Sequence, residues 1–178
     1  MFNFIKEKKR ARERKRMNIK IGDIFCIKMD DGSLRFMQYV ADDKTEMSPV
    51  IRIFKKVYPS DYQFQTEEIV ADEVDFYSMT WCLSHGIQDG DWQRVGWSNN
   101  VGDTENIMFR FYHDAFNFVN KKKSYQWYVW KINHERIDIG ELTDEYKKRA
   151  DWGLIFSTVQ LLEKIRHGDF TTIQTKIE

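Results

Sequence analysis

The sequence predicts an α+β fold: a mainly antiparallel curved sheet or small SH3-like barrel with a C-terminal helix packed on it. The first observation is an alternation of apolar and polar residues between positions 25 and 40, interrupted by an Asp-Gly step. The second is the run WYVWKI at residues 127–132, and the third is helical spacing of apolar residues near the C-terminus. Two-residue alternation is typical of strands, and a period of about 3.6 residues is typical of helices.

The opening third of the chain is expected to form an antiparallel meander. Residues 25–29 alternate in the way a half-buried strand does. The step Asp31-Gly32 follows, and it tolerates the positive φ that a tight hairpin requires. Residues 34–40 are predicted to form the returning strand, and residues 50–57 a third strand.

The centre of the chain is expected to alternate between loops and short strands. Residues 87–100 are rich in Gly, Asp and Asn, so an ordered loop is predicted there. Residues 121–124 are predicted to form an exposed loop, because three of the four are lysines. The predicted strands are residues 76–83, 108–112, 127–132 and 136–139.

The C-terminal part of the chain carries helix signals. Thr143 is placed to cap a short helix that runs to about Ala150. Ser157 and Gln160 have the spacing of a capping box, in which each side chain satisfies a backbone N–H of the first turn. Gly168 is the expected C-cap of the helix that follows.

The charge distribution divides the chain into a basic arm, residues 1–18, and a single domain, residues 19–178. The whole chain is neutral, with 28 basic and 28 acidic residues. Residues 1–16 nevertheless contain eight Lys and Arg against two Glu, so the remainder has 20 basic and 26 acidic residues. The composition of the arm allows three interpretations: a solvated extension, a tether to an anionic membrane, or a tail that binds nucleic acid. Its candidate contact residues are Lys8, Lys9, Arg10, Arg12, Arg14, Lys15 and Arg16.

The composition is that of a globular protein, and we expect it in the cytoplasm. With 42% hydrophobic and 31% charged residues, the chain has enough apolar material for one core. Two cysteines cannot form a disulfide framework. No window approaches the roughly 18–20 apolar residues of a membrane span, and the order of charges is not that of a secretory signal.

The motifs of common enzymes and cofactor sites are missing from the sequence. Cys82 and His85 have the spacing of half a metal site, but no second pair completes it. We interpret these two residues as structural. There is no nucleophile elbow and no glycine-rich phosphate loop. We therefore expect no catalytic residues, no metal and no cofactor.

The acidic, aromatic-rich domain favours a protein-binding role. Interfaces are enriched in aromatic residues, and an acidic surface steers a basic partner toward it. Trp92 and Trp97 lie among Gly, Asp and Asn, which predicts that both are exposed. The candidate partner-binding residues are Trp92, Trp97, Asp89, Asp91, Asp103 and Glu105.

Residues at both ends of the domain resemble the immunity protein 26 family. The N-terminal likeness lies in residues 22–27, in Asp31-Gly32 and in residues 38–40. The C-terminal likeness lies in residues 127–133, 139–146 and 153, and in residues 166–170. The resemblance implies an antitoxin of a bacterial polymorphic toxin system that neutralises a cognate toxin by tight, non-catalytic binding. It supplies no contact residues. The alternative is a nucleic-acid-associated adaptor that uses the basic arm, and a membrane-tethered immunity protein is a third reading.

Overall fold

A computed structural model describes residues 17–81, 83–113 and 124–168, and this part of the chain forms ten strands and four helices. Residues 1–16 of the basic arm, Cys82 and residues 121–123 of the predicted loop lie outside the described residues. The strands are β1 Asp23–Lys28, β2 Leu34–Asp43, β3 Ser48–Phe54, β4 Val74–Thr80, β5 Gln93–Trp97, β6 Met108–Tyr112, β7 Trp127–Lys131, β8 Ile137–Gly140, β9 Asp151–Trp152 and β10 Ile155–Phe156. The helices are α1 Thr66–Val70, α2 Leu83–Asp89, α3 Asp144–Arg149 and α4 Thr158–His167.

The predicted meander is the centre of a six-stranded sheet in the order β10-β4-β3-β2-β1-β5. Strands β1 and β2 pair antiparallel around the Asp-Gly hairpin, in which Gly32 has a φ of 85°. Strand β2 then pairs antiparallel with β3, and β3 with β4. The hairpin and the meander are therefore confirmed.

Both faces of this sheet are covered, so the expectation of half-buried strands is wrong. On one face Phe25 and Ile53 pack against Leu161 and Ile165 of α4. On the other face a second cluster, which includes Phe36, is covered by the segment from β3 to α1. The alternation in β1 and β2 thus separates two apolar layers rather than a core from solvent.

A second sheet, in the order β8-β7-β6-β9, packs beside the first. Its buried Phe109 and Trp130 form one cluster with Val50 and Met79 of the main sheet. Both sheets are open within the described residues, so of the two predicted alternatives the sheet is correct and the closed barrel is not.

The C-terminal helix signals are confirmed. The Thr143 side chain accepts a hydrogen bond from the Tyr146 N–H at the start of α3. The capping box of Ser157 and Gln160 begins α4, and Gly168 ends it in the left-handed region with a φ of 77°. Helix α4 packs on the main sheet through its buried apolar residues, as predicted.

The largest difference from the predicted elements lies at residues 87–100, where the structure has the end of α2 and the strand β5 instead of the predicted loop. Helix α2 spans seven residues, which is too short for a clear helical periodicity. Strand β5 contains Gly96 and two exposed polar residues, so it lacks the usual apolar signature. Within the described residues, no helix is long and apolar enough to cross a membrane.

Candidate functional site

Strand β5 lies at one edge of the main sheet. It pairs antiparallel with β1, and no strand of the described chain pairs with its other side. Ile24 pairs with Gly96 and Phe25 with Arg94, so Val95 is an extra residue that makes a β-bulge. We call the unpaired side of Gln93–Trp97 the β5 edge.

The backbone of Trp97 faces the β5 edge. Beyond the last strand pair, Ser98 donates its N–H to the Gly22 carbonyl at 3.0 Å. Along an antiparallel strand, successive residues direct their N–H and C=O groups alternately toward and away from the neighbouring strand. The N–H and C=O of Trp97 therefore point away from β1.

A cavity of about 460 Å³ lies beside the C-terminal half of β5, and we call it the Trp97 cavity. The Trp97 indole Nε1 donates to the Ile21 carbonyl at 3.0 Å, and the Lys20 Nζ lies 4.8 Å from the ring centroid. Asp23 is buried here and accepts hydrogen bonds from the Lys20 N–H and from Arg94 Nη1. The charged groups of this cavity are thus largely paired with one another.

A second cavity, of about 440 Å³, lies beside the N-terminal end of β5 and includes Asp91, so we call it the Asp91 cavity. Its apolar wall contains Cys26, Leu34 and Phe64, and the Phe64 side chain is 45% exposed. Lys28 also lines it. An apolar wall beside a carboxylate is the environment that suits a side chain with an aliphatic stem and a cationic end.

Burial raises the pKa of the Asp91 carboxyl group above its usual value. The neighbouring Asp89 raises the pKa further, and the positive charge of Arg166 acts in the opposite direction. In the described part of the chain, Asp91 forms no ion pair, and the Arg166 guanidinium is paired with Asp30. A cation brought to the Asp91 cavity would therefore be attracted to a carboxylate that has no direct ion pair within the described residues.

The two predicted tryptophans have opposite environments. Trp97 is 48% exposed, as predicted. Trp92 is only 3% exposed, so its predicted surface position is wrong. Its ring packs on Gly86 of α2, and its Nε1 donates to the Leu83 carbonyl at 2.9 Å. Trp92 supports the turn that carries Asp91 and is not itself available to a partner.

Asp89 is the last residue of α2 and Asp91 lies in the turn that leads into β5, whereas Asp103 and Glu105 lie in the loop that leads to β6. Asp103 accepts hydrogen bonds from the Asn106 side chain and from the Glu105 N–H, and these bonds lower the pKa of Asp103. Asp103 and Glu105 line neither cavity beside β5. The structure therefore brings Asp89, Asp91 and Trp97 to one edge and leaves the other two carboxylates elsewhere.

The structure adds two residues that sequence reasoning missed, Lys20 and Phe64. Neither lies in a recognisable sequence motif. Each is brought to its cavity by the tertiary fold, which neighbouring residues in the sequence do not reveal. Phe64 precedes α1 and contacts the Phe36 ring, with 5.6 Å between the ring centroids. The only signal for it in the sequence is an aromatic residue two positions after Tyr62 in an otherwise polar stretch.

The Cys26 thiol and the histidines of the described chain form no recognisable chemical centre. Burial raises the pKa of the Cys26 thiol from about 9.0 to about 11, which leaves it protonated at neutral pH. His85 is exposed on α2, and its predicted neighbour Cys82 lies outside the described residues. The described residues contain no group of three or more His, Cys, Asp or Glu arranged to hold a metal ion.

Comparison with known proteins gives one match. Residues 20–123, which are more than half of the chain, match the family model described as immunity protein 26. The match includes β1 to β6 and thus the β5 edge, whereas the C-terminal likeness noted in the sequence lies beyond it. Neither a curated protein nor a solved structure matches the chain.

Proposed function

The chain belongs to the immunity protein 26 family, and from this membership we propose that it neutralises a cognate bacterial toxin by direct, non-catalytic binding in the cytoplasm. The family match carries this proposal. A family of immunity proteins implies a toxin as the partner, and binding is the simplest way for one protein to block another. The complex would belong to a polymorphic toxin system.

The surface of the domain supports a binding role. Residues 17–178 carry six more acidic than basic groups, and an acidic surface accelerates encounter with a basic partner. The β5 edge offers unpaired backbone groups, an exposed tryptophan and two cavities. Exposed strand edges and aromatic side chains are common features of protein interfaces.

The proposal is tested by expressing the chain together with the toxin domain encoded by the adjacent gene. Growth inhibition by the toxin domain alone should disappear on co-expression, and the two proteins should purify as a complex. Tight complexes of this kind reach Kd values of about 10⁻¹³ M or below, so the complex should survive extensive washing. An inactive toxin domain separates binding from toxicity in the same assay.

Two results would contradict the proposal. One is growth inhibition that continues although the chain is present as folded protein. The other is rescue without a complex, which would point to an effect on the toxin's target or to chemical modification of the toxin. A matched control is the chain paired with an unrelated toxin domain, which it should neither bind nor neutralise.

A further inference from the structure

Resting on the proposed function, we propose that the toxin adds a short strand to the β5 edge and places a lysine or arginine side chain in the Asp91 cavity. Strand addition is a recurring mode of recognition, in which backbone hydrogen bonds supply affinity and flanking pockets supply specificity. The β5 edge has the required parts, since one element carries an open strand edge and a depression beside each half.

The open edge suits a short added strand. The N–H and C=O of Trp97 point away from β1, so a partner strand can hydrogen-bond to them. The bulge at Val95 bends the strand, and β5 has only five residues. Short, bulged edges resist continuous pairing between copies of one protein. They still permit a brief pairing whose register is fixed by side chains on either side.

The Asp91 cavity determines which side chain the added strand brings. Leu34 and Phe64 would contact an aliphatic stem, and the Asp91 carboxylate would receive the cationic end. Lys28 lines the same cavity but forms no ion pair with Asp91 within the described chain. The excess of acidic groups in residues 17–178 matches the positive charge expected of the partner.

The other sheet supplies an internal comparison. Strand β8 is also an edge strand, and it carries the exposed Ile137. Its Asp138 is paired with His113 at 2.6 Å, and the strand lines neither of the two cavities. It also lies beyond the family match, which ends at residue 123. Protection of β5 with no change at β8 is therefore the specific result that the proposal requires.

Hydrogen exchange tests the strand addition directly. The probe is an inactive form of the toxin domain encoded by the adjacent gene, added to the full chain. Amides of β5 should exchange at least about tenfold more slowly in the complex, and amides of β8 should be unchanged. Protection of β8 alone, or of neither edge in a formed complex, would overturn the proposal.

Asp91→Asn tests the cationic anchor. It keeps the shape of the side chain and removes the charge, and it should weaken the complex by about 10- to 100-fold. The matched control is Glu141→Gln, which removes an exposed charge next to β8 of the other sheet and should weaken the complex by less than about threefold. Equal effects of the two changes, or no effect of Asp91→Asn on a complex that forms, would refute the anchor. Melting curves check that both variants are folded.

Other occupants of the β5 edge give different results. If residues 1–16 occupied it, truncation would speed exchange at β5 in the free chain. If a second copy occupied it, protection in the free chain would increase with protein concentration. Either result would overturn the proposal. If the wild-type chain does not bind the toxin domain at all, the proposed function itself fails, and this inference fails with it.

Discussion

The packing of Trp92 on α2 predicts that Gly86→Ala destabilises the protein, although alanine is the better helix former. A Cβ at position 86 would lie 2.1 Å from Cζ2 and 2.2 Å from Cε2 of the Trp92 ring. Ordinary contact begins at 3.4 Å, so the ring would have to move by about 1.3 Å. The ring is held in place by the bond from its Nε1 to the Leu83 carbonyl.

The expected magnitude follows from three contributions. Overpacking costs about 1–3 kcal/mol, and loss of the indole hydrogen bond costs about 1 kcal/mol. Replacing glycine in a helix returns about 0.5–1 kcal/mol. The net loss is about 2 kcal/mol of unfolding free energy, which lowers Tm by about 4–8 °C in a domain of this size.

Denaturant titration of four proteins measures this loss: the wild type, Gly86→Ala, Trp92→Phe and the double variant. The smaller phenyl ring leaves room for the new Cβ, so Gly86→Ala should cost at least about 1 kcal/mol less in the Trp92→Phe background. An equal cost in both backgrounds would show that the contact with Trp92 is not the cause. Unchanged or increased stability of Gly86→Ala would refute the reasoning altogether.

Four further predictions concern other parts of the chain. Gly153→Ala should lower the free energy of unfolding by about 1–3 kcal/mol, because its Cβ would lie 1.9 Å from the buried Trp130 ring. A thermal melt measures this loss, and an unchanged stability would contradict the packing of Gly153 on Trp130. Arg35→Ala should cost about 2–4 kcal/mol in denaturant titration, because the buried guanidinium donates charged hydrogen bonds to two backbone carbonyls and also binds the partly exposed Asp75. A loss below about 1 kcal/mol would argue against this role. Cys26 has a thiol pKa of about 11 when folded and about 9.0 when unfolded, so its contribution to stability is complete below pH 9 and falls as the pH rises toward 11. The free energy of unfolding is measured against pH for Cys26 and for Cys26→Ala, both in a background that lacks the other cysteine. The difference between the two profiles is the contribution of the Cys26 thiol, and identical profiles would show that it makes none. The charge of residues 1–16 predicts retention on heparin at low salt that truncation abolishes, whereas retention of the truncated chain would place the basic surface elsewhere.

Features determined by neighbouring residues could be predicted from the sequence. The capping box at Ser157 depends on residues three positions apart, and the hairpin depends on Asp31-Gly32. Both appear in the structure where they were expected. The same holds for the exposure of Trp97, whose neighbours are polar or small.

Features determined by distant contacts could not be predicted in this way. Trp92 has the same kind of neighbours as Trp97, yet it is buried because α2 places Gly86 against its ring. The Asp91 cavity combines segments around Lys28, Phe64 and Asp91, which are far apart in the sequence. Strands β9 and β10 have two residues each, so no periodicity could mark them.

The segment from β9 to β10 joins the two sheets and delays completion of the fold. Asp151 pairs with Phe109 in one sheet, and four residues later Ile155 pairs with Met79 in the other. Pairings between residues so distant in the sequence form slowly, and neither sheet is complete until this segment has left the ribosome. Helix α4 follows the segment and covers the apolar face of the main sheet through Ile165. At about 5–20 residues per second, synthesis from Phe109 to Ile165 takes roughly 3–11 s. Under the proposed function, this interval is a minimum delay between the synthesis of strand β6 and protection against the toxin.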